Sequence, residues 1–139
     1  MQQPRDARCW VLGADTIVVL DEDILGKPRD AEHAETMLAA LAGREHEVIT
    51  AVALAAAGTT RVHDVAVRSR VHFRHATGDE IRDYVATGES LDKAGSYGLQ
   101  GEGRRFVSRV EGSETNVIGL PMEETLKLLR EIAGIGAAP

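Results

Sequence analysis

From Trp10 to Leu20 the chain reads Trp-Val-Leu-Gly-Ala-Asp-Thr-Ile-Val-Val-Leu, an apolar run with a carboxylate at its centre. A continuous Val- and Ile-rich run is the pattern of a strand covered on both faces, where an unpaired carboxylate costs several kcal/mol or becomes neutral through a shifted pKa. Asp15 is therefore expected to be buried and partnered. Gly13 and Ala14 leave room for a backbone or a ligand to approach, and Thr16 sets a hydroxyl beside the carboxylate. A metal ion or a phosphate could fill that space; a neighbouring Arg or backbone N–H groups would serve equally, and spacing alone does not choose between them.

The 139 residues suit a single domain spanning 1–139, with residues 1–8 expected to be disordered and 133–139 a frayed tail of small residues. A net charge of −6 speaks against nonspecific binding of a nucleic acid polymer, which needs a basic surface, yet it leaves room for a nucleotide held by a few lysines. One cysteine, Cys9, cannot form an internal disulfide, and no apolar run has the length of a membrane span or the form of a signal peptide. The expectation is a soluble cytoplasmic protein with no membrane partner.

Asp21-Glu22-Asp23 turns the chain back into Ile24-Leu25 as a hairpin. Asp30 stands as N-cap of a helix whose apolar positions Ala34, Met37, Leu38 and Leu41 recur at helical spacing, with Gly43 just past its end. Val48 to Leu54 reads as a second apolar strand. From Val65 to His75 strict alternation sets Val65, Val67, Ser69, Val71 and Phe73 on one face, and Arg68, Arg70, His72 and Arg74 on a solvated one. Thr77-Gly78-Asp79-Glu80 is a capping box opening a short helix that stops at Gly88. Phe106 to Val110 and Asn116 to Leu120 read as two strands around a turn at Glu111-Gly112-Ser113. Pro121 then starts a helix with Met122, Thr125, Leu126, Leu129 and Ile132 on its apolar face. Interspersed strands and helices indicate an α/β domain with a mixed sheet and flanking helices.

Three polar clusters stand out: Asp15-Thr16, Lys27-Pro28-Arg29, and the glycine-punctuated stretch from Glu89 to Gly101, which carries Asp92, Lys93 and Gln100. Taken alone, the third reads as an ordinary surface loop; together the three supply what metal-assisted hydrolysis of a phosphoanhydride requires, though no single cluster proves it. Carboxylates hold a hard cation or activate water, and lysines neutralise phosphate oxygens. No P-loop or nucleophile elbow occurs, the five histidines show no zinc-protease spacing, and His33 on a helix surface and His72 on a strand face read as structural or solvated.

Val11 to Thr16, Gly26-Lys27-Pro28-Arg29-Asp30-Ala31, Gly43 to Thr50, Asp92-Lys93-Ala94-Gly95-Ser96-Tyr97-Gly98-Leu99-Gln100-Gly101 and Gly119-Leu120-Pro121 follow one another in an order and spacing that resemble the Maf nucleoside triphosphate pyrophosphatases. The resemblance implies an α/β fold with a central cleft, related to the inosine triphosphate pyrophosphatase architecture. It also implies hydrolysis of a nucleoside triphosphate to the monophosphate and pyrophosphate with a divalent metal cofactor, Mg²⁺ or Mn²⁺. By motif, Asp15 corresponds to the proton acceptor and metal-associated carboxylate, and Lys27 and Lys93 would contact phosphates. Glu89 and Asp92 lie in the acidic part of the substrate pocket, and Thr16 and Gln100 fall where the pyrimidine is read. The branch resembling 7-methyl-GTP pyrophosphatases carries Gly-Ser-Asp-Gln in the first motif and a Glu at the position of Gln100. Gly-Ala-Asp-Thr and Gln100 here favour dTTP and UTP, and an amide offers the donor and acceptor that match the O4 and N3–H edge of thymine or uracil.

Family members of this kind begin with a further strand and a Ser-x-Ser-Pro-Arg-Arg motif, which the sequence does not carry. The expectation is an N-terminally truncated domain lacking the arginines that would grip the triphosphate. Two readings result: a dTTP/UTP pyrophosphatase, or an inactive remnant acting as a nucleotide-binding or division-related interaction protein, with a homodimer left open for either.

Overall fold

The computed structural model describes residues 9–134, so the expectations for residues 1–8 and for the tail beyond Gly134 lie outside the described residues. The apolar run forms β1 (Trp10–Leu20), and Asp21, with a φ of 58°, turns it into the short β2 (Asp23–Leu25). Asp30 caps α1 (Ala31–Leu41) by accepting the His33 N–H at 2.8 Å, and Ala34, Met37, Leu38 and Leu41 are the buried side of that helix. Gly43, at φ 72°, turns the chain into β3 (Glu45–Ala56), which pairs antiparallel with β1 along most of its length, Thr16 facing Thr50.

β4 (Val62–Phe73) returns along β3 with the expected alternation, burying Ser69, Val71 and Phe73. Its basic face is solvated and paired: Arg68 with Glu47 at 3.1 Å, Arg70 with Glu45 at 3.5 Å, and His72 between Glu45 and Glu111. The Thr77 capping box opens α2 (Gly78–Val85), whose Ile81, Tyr84 and Val85 pack toward α1 and the sheet. Three short 3₁₀ turns occupy Glu89–Phe106 before β5 (Val107–Glu111) closes the order β2-β1-β3-β4-β5. The α/β class stands, and the pairings refine the mixed sheet: every described pairing is antiparallel, because the helices precede hairpin-type returns and no crossover links parallel neighbours. The core lies on one face, where Val18, Leu38, Val48, Val71, Tyr84 and Phe106 meet.

Three expectations are corrected. Asn116–Leu120 is not a strand: Glu114–Ile118 is a one-turn helix, α3, because Ser113 accepts the Asn116 N–H at 3.0 Å and caps it. In α4 (Met122–Leu128) and the wider turn over Leu129–Ala133, only Thr125 of the expected apolar stripe is fully buried, while Met122 and Leu126 are 44% and 39% exposed. Thr125 is buried where α4 meets β4, whereas Leu129 and Ile132 are half-buried, Ile132 lining a groove with Trp10, Ala56 and His63. β1 is not covered on both faces: Val18 and Leu20 are buried, but Val11 and Leu12 are 61% and 41% exposed and Asp15 is exposed as well. β2 pairs with β1 over Val18–Leu20 alone, so among the described residues the upstream half has a neighbour on one edge only. A solvated carboxylate needs no partner, and the energetic case for a buried Asp15 falls away. Among the described residues no helix is long and apolar enough to cross a membrane.

Candidate functional site

A cleft of about 360 Å³ opens beside β1. Its walls are Ala14, Asp15, Thr16 and Val18 of β1, Lys27 of the loop after β2, Asp92 to Ala94 and Tyr97 to Gln100 of the 3₁₀ region, and Val117 to Gly119 at the end of α3. Six of the seven residues singled out in the sequence thus share one cavity: Asp15, Thr16, Lys27, Asp92, Lys93 and Gln100. Alternation turns Asp15 and Thr16 to opposite faces, yet both line the cleft, in a stretch that among the described residues pairs on one edge only.

Backbone geometry brings the two lysine loops together. Gly95, at φ 72°, donates its N–H to the Gly26 carbonyl at 3.1 Å, which ties the loop before Lys27 to the loop after Lys93. A Cβ at Gly95 would come within 3.0 Å of the Val18 side chain, so this crossing needs glycine for both conformation and space. Lys93 lies over Gly98, where a Cβ would meet its Cε at 2.6 Å, and its ammonium is 3.4 Å from Asp92. Ser96, held at φ 70°, is buried and donates to the Met37 sulfur at 3.0 Å, anchoring the same loop to α1.

Glu89 does not line the cleft. Its Oε1 accepts the Tyr84 hydroxyl at 2.7 Å and the Gly103 N–H at 3.2 Å, and its Oε2 accepts the Glu102 N–H at 3.0 Å. Partial burial pushes this carboxyl upward, yet the three hydrogen bonds and the charge of Lys93 outweigh it and hold the group below the ordinary carboxylate range. A side chain at Gly101 would collide with that carboxylate, and one at Gly103 would come within 2.8 Å of the Tyr84 hydroxyl. The residue expected in the substrate pocket is instead the anion around which the loop carrying Lys93 and Gln100 is wound. Burial and the Glu89 carboxylate push the Tyr84 phenol up, so it stays a donor.

The floor of the cleft is a chain of hydroxyls that the sequence alone did not reveal. Thr16 Oγ1 is 2.9 Å from Thr50 Oγ1 and 3.5 Å from the Gly119 carbonyl, and Thr50, fully buried, donates to the Asn116 carbonyl at 3.2 Å. Asn116 is buried too, its amide donating to the Val48 and Val67 carbonyls and to Ser69 Oγ at 3.0 to 3.1 Å. It locks α3 onto β3 and β4. The available signals were slight: Thr50 reads as an ordinary strand residue, and Ser113 three positions before Asn116 is a capping spacing overridden by an apolar run. Behind the cleft, His46 Nε2 and the Tyr97 hydroxyl share a hydrogen bond of 2.7 Å, and burial with the nearby His72 lowers the His46 pKa to about 4.

Chemically, the cleft combines accessible carboxylates, two ammonium groups and a polar floor. Among the described residues no group of three His, Cys, Asp or Glu forms a ready-made metal cage. A family model described as Maf-like protein matches residues 1–132. The dTTP/UTP pyrophosphatase of Desulfitobacterium hafniense (strain Y51) is 58% identical over 113 residues, covering 81% of this chain and 50% of the relative. That of Escherichia coli O157:H7 is 54% identical over 119 residues, 86% of this chain and 59% of the relative. That of Geobacter sp. (strain M21) is 50% identical over 127 residues, 91% and 66% respectively. The chain thus spans between half and two thirds of the length of these curated relatives.

Proposed function

The chain belongs to the Maf family, and from that membership we propose that it hydrolyses nucleoside triphosphates, dTTP and UTP first, to the monophosphate and pyrophosphate. The observation that carries the reading is the convergence of Asp15, Lys27, Lys93, Thr16 and Gln100 on one cleft, in a chain whose relatives bear the name dTTP/UTP pyrophosphatase. Asp15 accepts a proton from water as its oxygen bonds to the α-phosphorus. The bond from that phosphorus to the bridging oxygen breaks, and pyrophosphate leaves. Lys27 and Lys93 offset the charge that gathers on the phosphate oxygens. Thr16 and Gln100 meet the base edge.

A divalent cation, Mg²⁺ or Mn²⁺, fits the donors present. Asp15 and Asp92 are exposed carboxylates lining the cleft, and such ions are commonly held by one or two carboxylates together with substrate phosphates. When bound, the ion would neutralise charge on the triphosphate. A cytoplasmic setting accompanies a nucleotide substrate.

Pyrophosphate release from dTTP, UTP, CTP and GTP, run in ¹⁸O-labelled water, tests the reading. The expected result is a preference for dTTP and UTP with the label in the monophosphate. A preference for GTP removes the pyrimidine assignment, and label in the pyrophosphate removes attack at the α-phosphorus. A second reading, nucleotide binding without turnover, is favoured by one observation: among the described residues lining the cleft, Lys27 and Lys93 alone are cationic, a sparse complement for a triphosphate. Binding of UTP with no released pyrophosphate would select it.

A further inference from the structure

The hydroxyl chain beneath the cleft biases which way Thr16 hydrogen-bonds. Thr16 and Thr50 own one hydroxyl proton each, and three oxygen contacts compete for them: the 2.9 Å contact between the two hydroxyls, the 3.2 Å contact of Thr50 with the Asn116 carbonyl, and the 3.5 Å contact of Thr16 with the Gly119 carbonyl. Sending both protons to the carbonyls would leave two hydroxyl oxygens facing each other with lone pairs alone, which is repulsive. Two arrangements remain. Either Thr50 donates to Asn116 and Thr16 to Thr50, or Thr50 donates to Thr16 and Thr16 to Gly119. The first has the shorter contacts. In the first, which the shorter contacts favour, the Thr16 proton is directed at Thr50 and toward the cleft Thr16 offers only lone pairs; in the second only the 3.5 Å contact to Gly119 holds that proton.

We infer that Thr50 is a positioning residue for specificity: it holds the half-buried Thr16 hydroxyl as an acceptor, so that the cleft selects a base whose ring nitrogen carries a proton over one whose ring nitrogen carries a lone pair. The inference rests on the proposal that Thr16 meets the base. Uracil and thymine present N3–H and satisfy the acceptor. Cytosine presents a bare N3, which faces an acceptor unless Thr16 turns to donate, and that turn gives up the hydrogen bond from Thr50 to the Asn116 carbonyl. Thr50 is fully buried and absent from the cleft wall, so it acts through Thr16 and not by touching the ligand.

Titration calorimetry with UMP and CMP, which carry the same base edges and cannot be turned over, separates this inference from the activity. Wild type is expected to prefer UMP. In Thr50→Val the Thr16 proton keeps only its long contact to Gly119 and can turn to cytosine N3, so the UMP-over-CMP preference should narrow by roughly tenfold. Thr50→Ser keeps the hydroxyl and should restore the preference, which loss of packing would not do. Thr50→Ala removes the hydroxyl without branching and repeats the measurement should the valine variant fail to fold. A Thr50→Val or Thr50→Ala protein that retains the wild-type preference overturns the relay alone. A wild type that binds both equally overturns the assignment of Thr16 to the base, and the relay with it.

Discussion

Asp15 and Glu89 exchange the environments that their sequence contexts suggest. The first sits in an apolar run and is solvated; the second sits in a polar loop and is enclosed by three donors. Periodicity reports which residues are apolar, but not whether a neighbouring strand or helix arrives to cover them. The partners of Glu89 are illegible for a different reason, since two of the three are backbone N–H groups 13 and 14 residues away, which every sequence possesses. Lys27, Asp92, Lys93 and Gln100 stood out through the motifs that resemble the Maf family, since a glycine-rich polar stretch taken alone reads as an ordinary surface loop. Replacing Glu89 by Gln turns one oxygen acceptor into a donor opposite groups that also donate, and should cost about 1–3 kcal/mol of stability. Urea denaturation measures it, and an unchanged midpoint would mean that the loop holds its shape without the carboxylate.

Elements with their punctuation inside the sequence were readable. Asp30 caps α1, Thr77 and Glu80 form a reciprocal capping box on α2, and the alternation of β4 survives intact because one face is core and the other is water. α3 was not readable, because five residues containing Val, Ile and Leu satisfy a short strand as well as a single helical turn. The cap decides it locally, and Asn116 anchors the turn by donating to carbonyls on β3 and β4. Ser113→Ala removes the oxygen that accepts the Asn116 N–H and should cost about 1 kcal/mol. Because α3 carries Gly119 and Asn116 under Thr16, the same variant should weaken UMP binding, and calorimetry that finds stability lowered with binding untouched would detach α3 from the cleft floor.

Across the whole molecule, acid stability follows from where the titrating groups sit. The folded chain keeps His46 neutral down to about pH 4, through burial first and the charge of His72 second, whereas in the unfolded chain it protonates near its ordinary 6.5. The unfolded state therefore binds more protons between those values. The contribution of His46 is complete above pH 6.5 and is lost as the pH falls toward 4, amounting to roughly 3 kcal/mol over the full window. Glu80, held at about 2 by the Arg74 guanidinium and the Thr77 N–H, and Glu89 act in the same direction at lower pH, since depressed carboxylates lose their stabilisation as they protonate. Stability from urea melts should fall steadily from pH 7 to pH 4.5, and a flat profile would contradict a neutral, enclosed His46.

The function proposed for this fold depends on one carboxylate of β1 acting on water beside two lysines. The most direct test is the initial rate of pyrophosphate release from dTTP by the wild-type chain and by Asp15→Asn under the same Mg²⁺ concentration. A general base contributes about 10²- to 10⁴-fold, so the variant should lose at least the lower figure while still binding UMP. Equal rates for the two proteins would contradict the account.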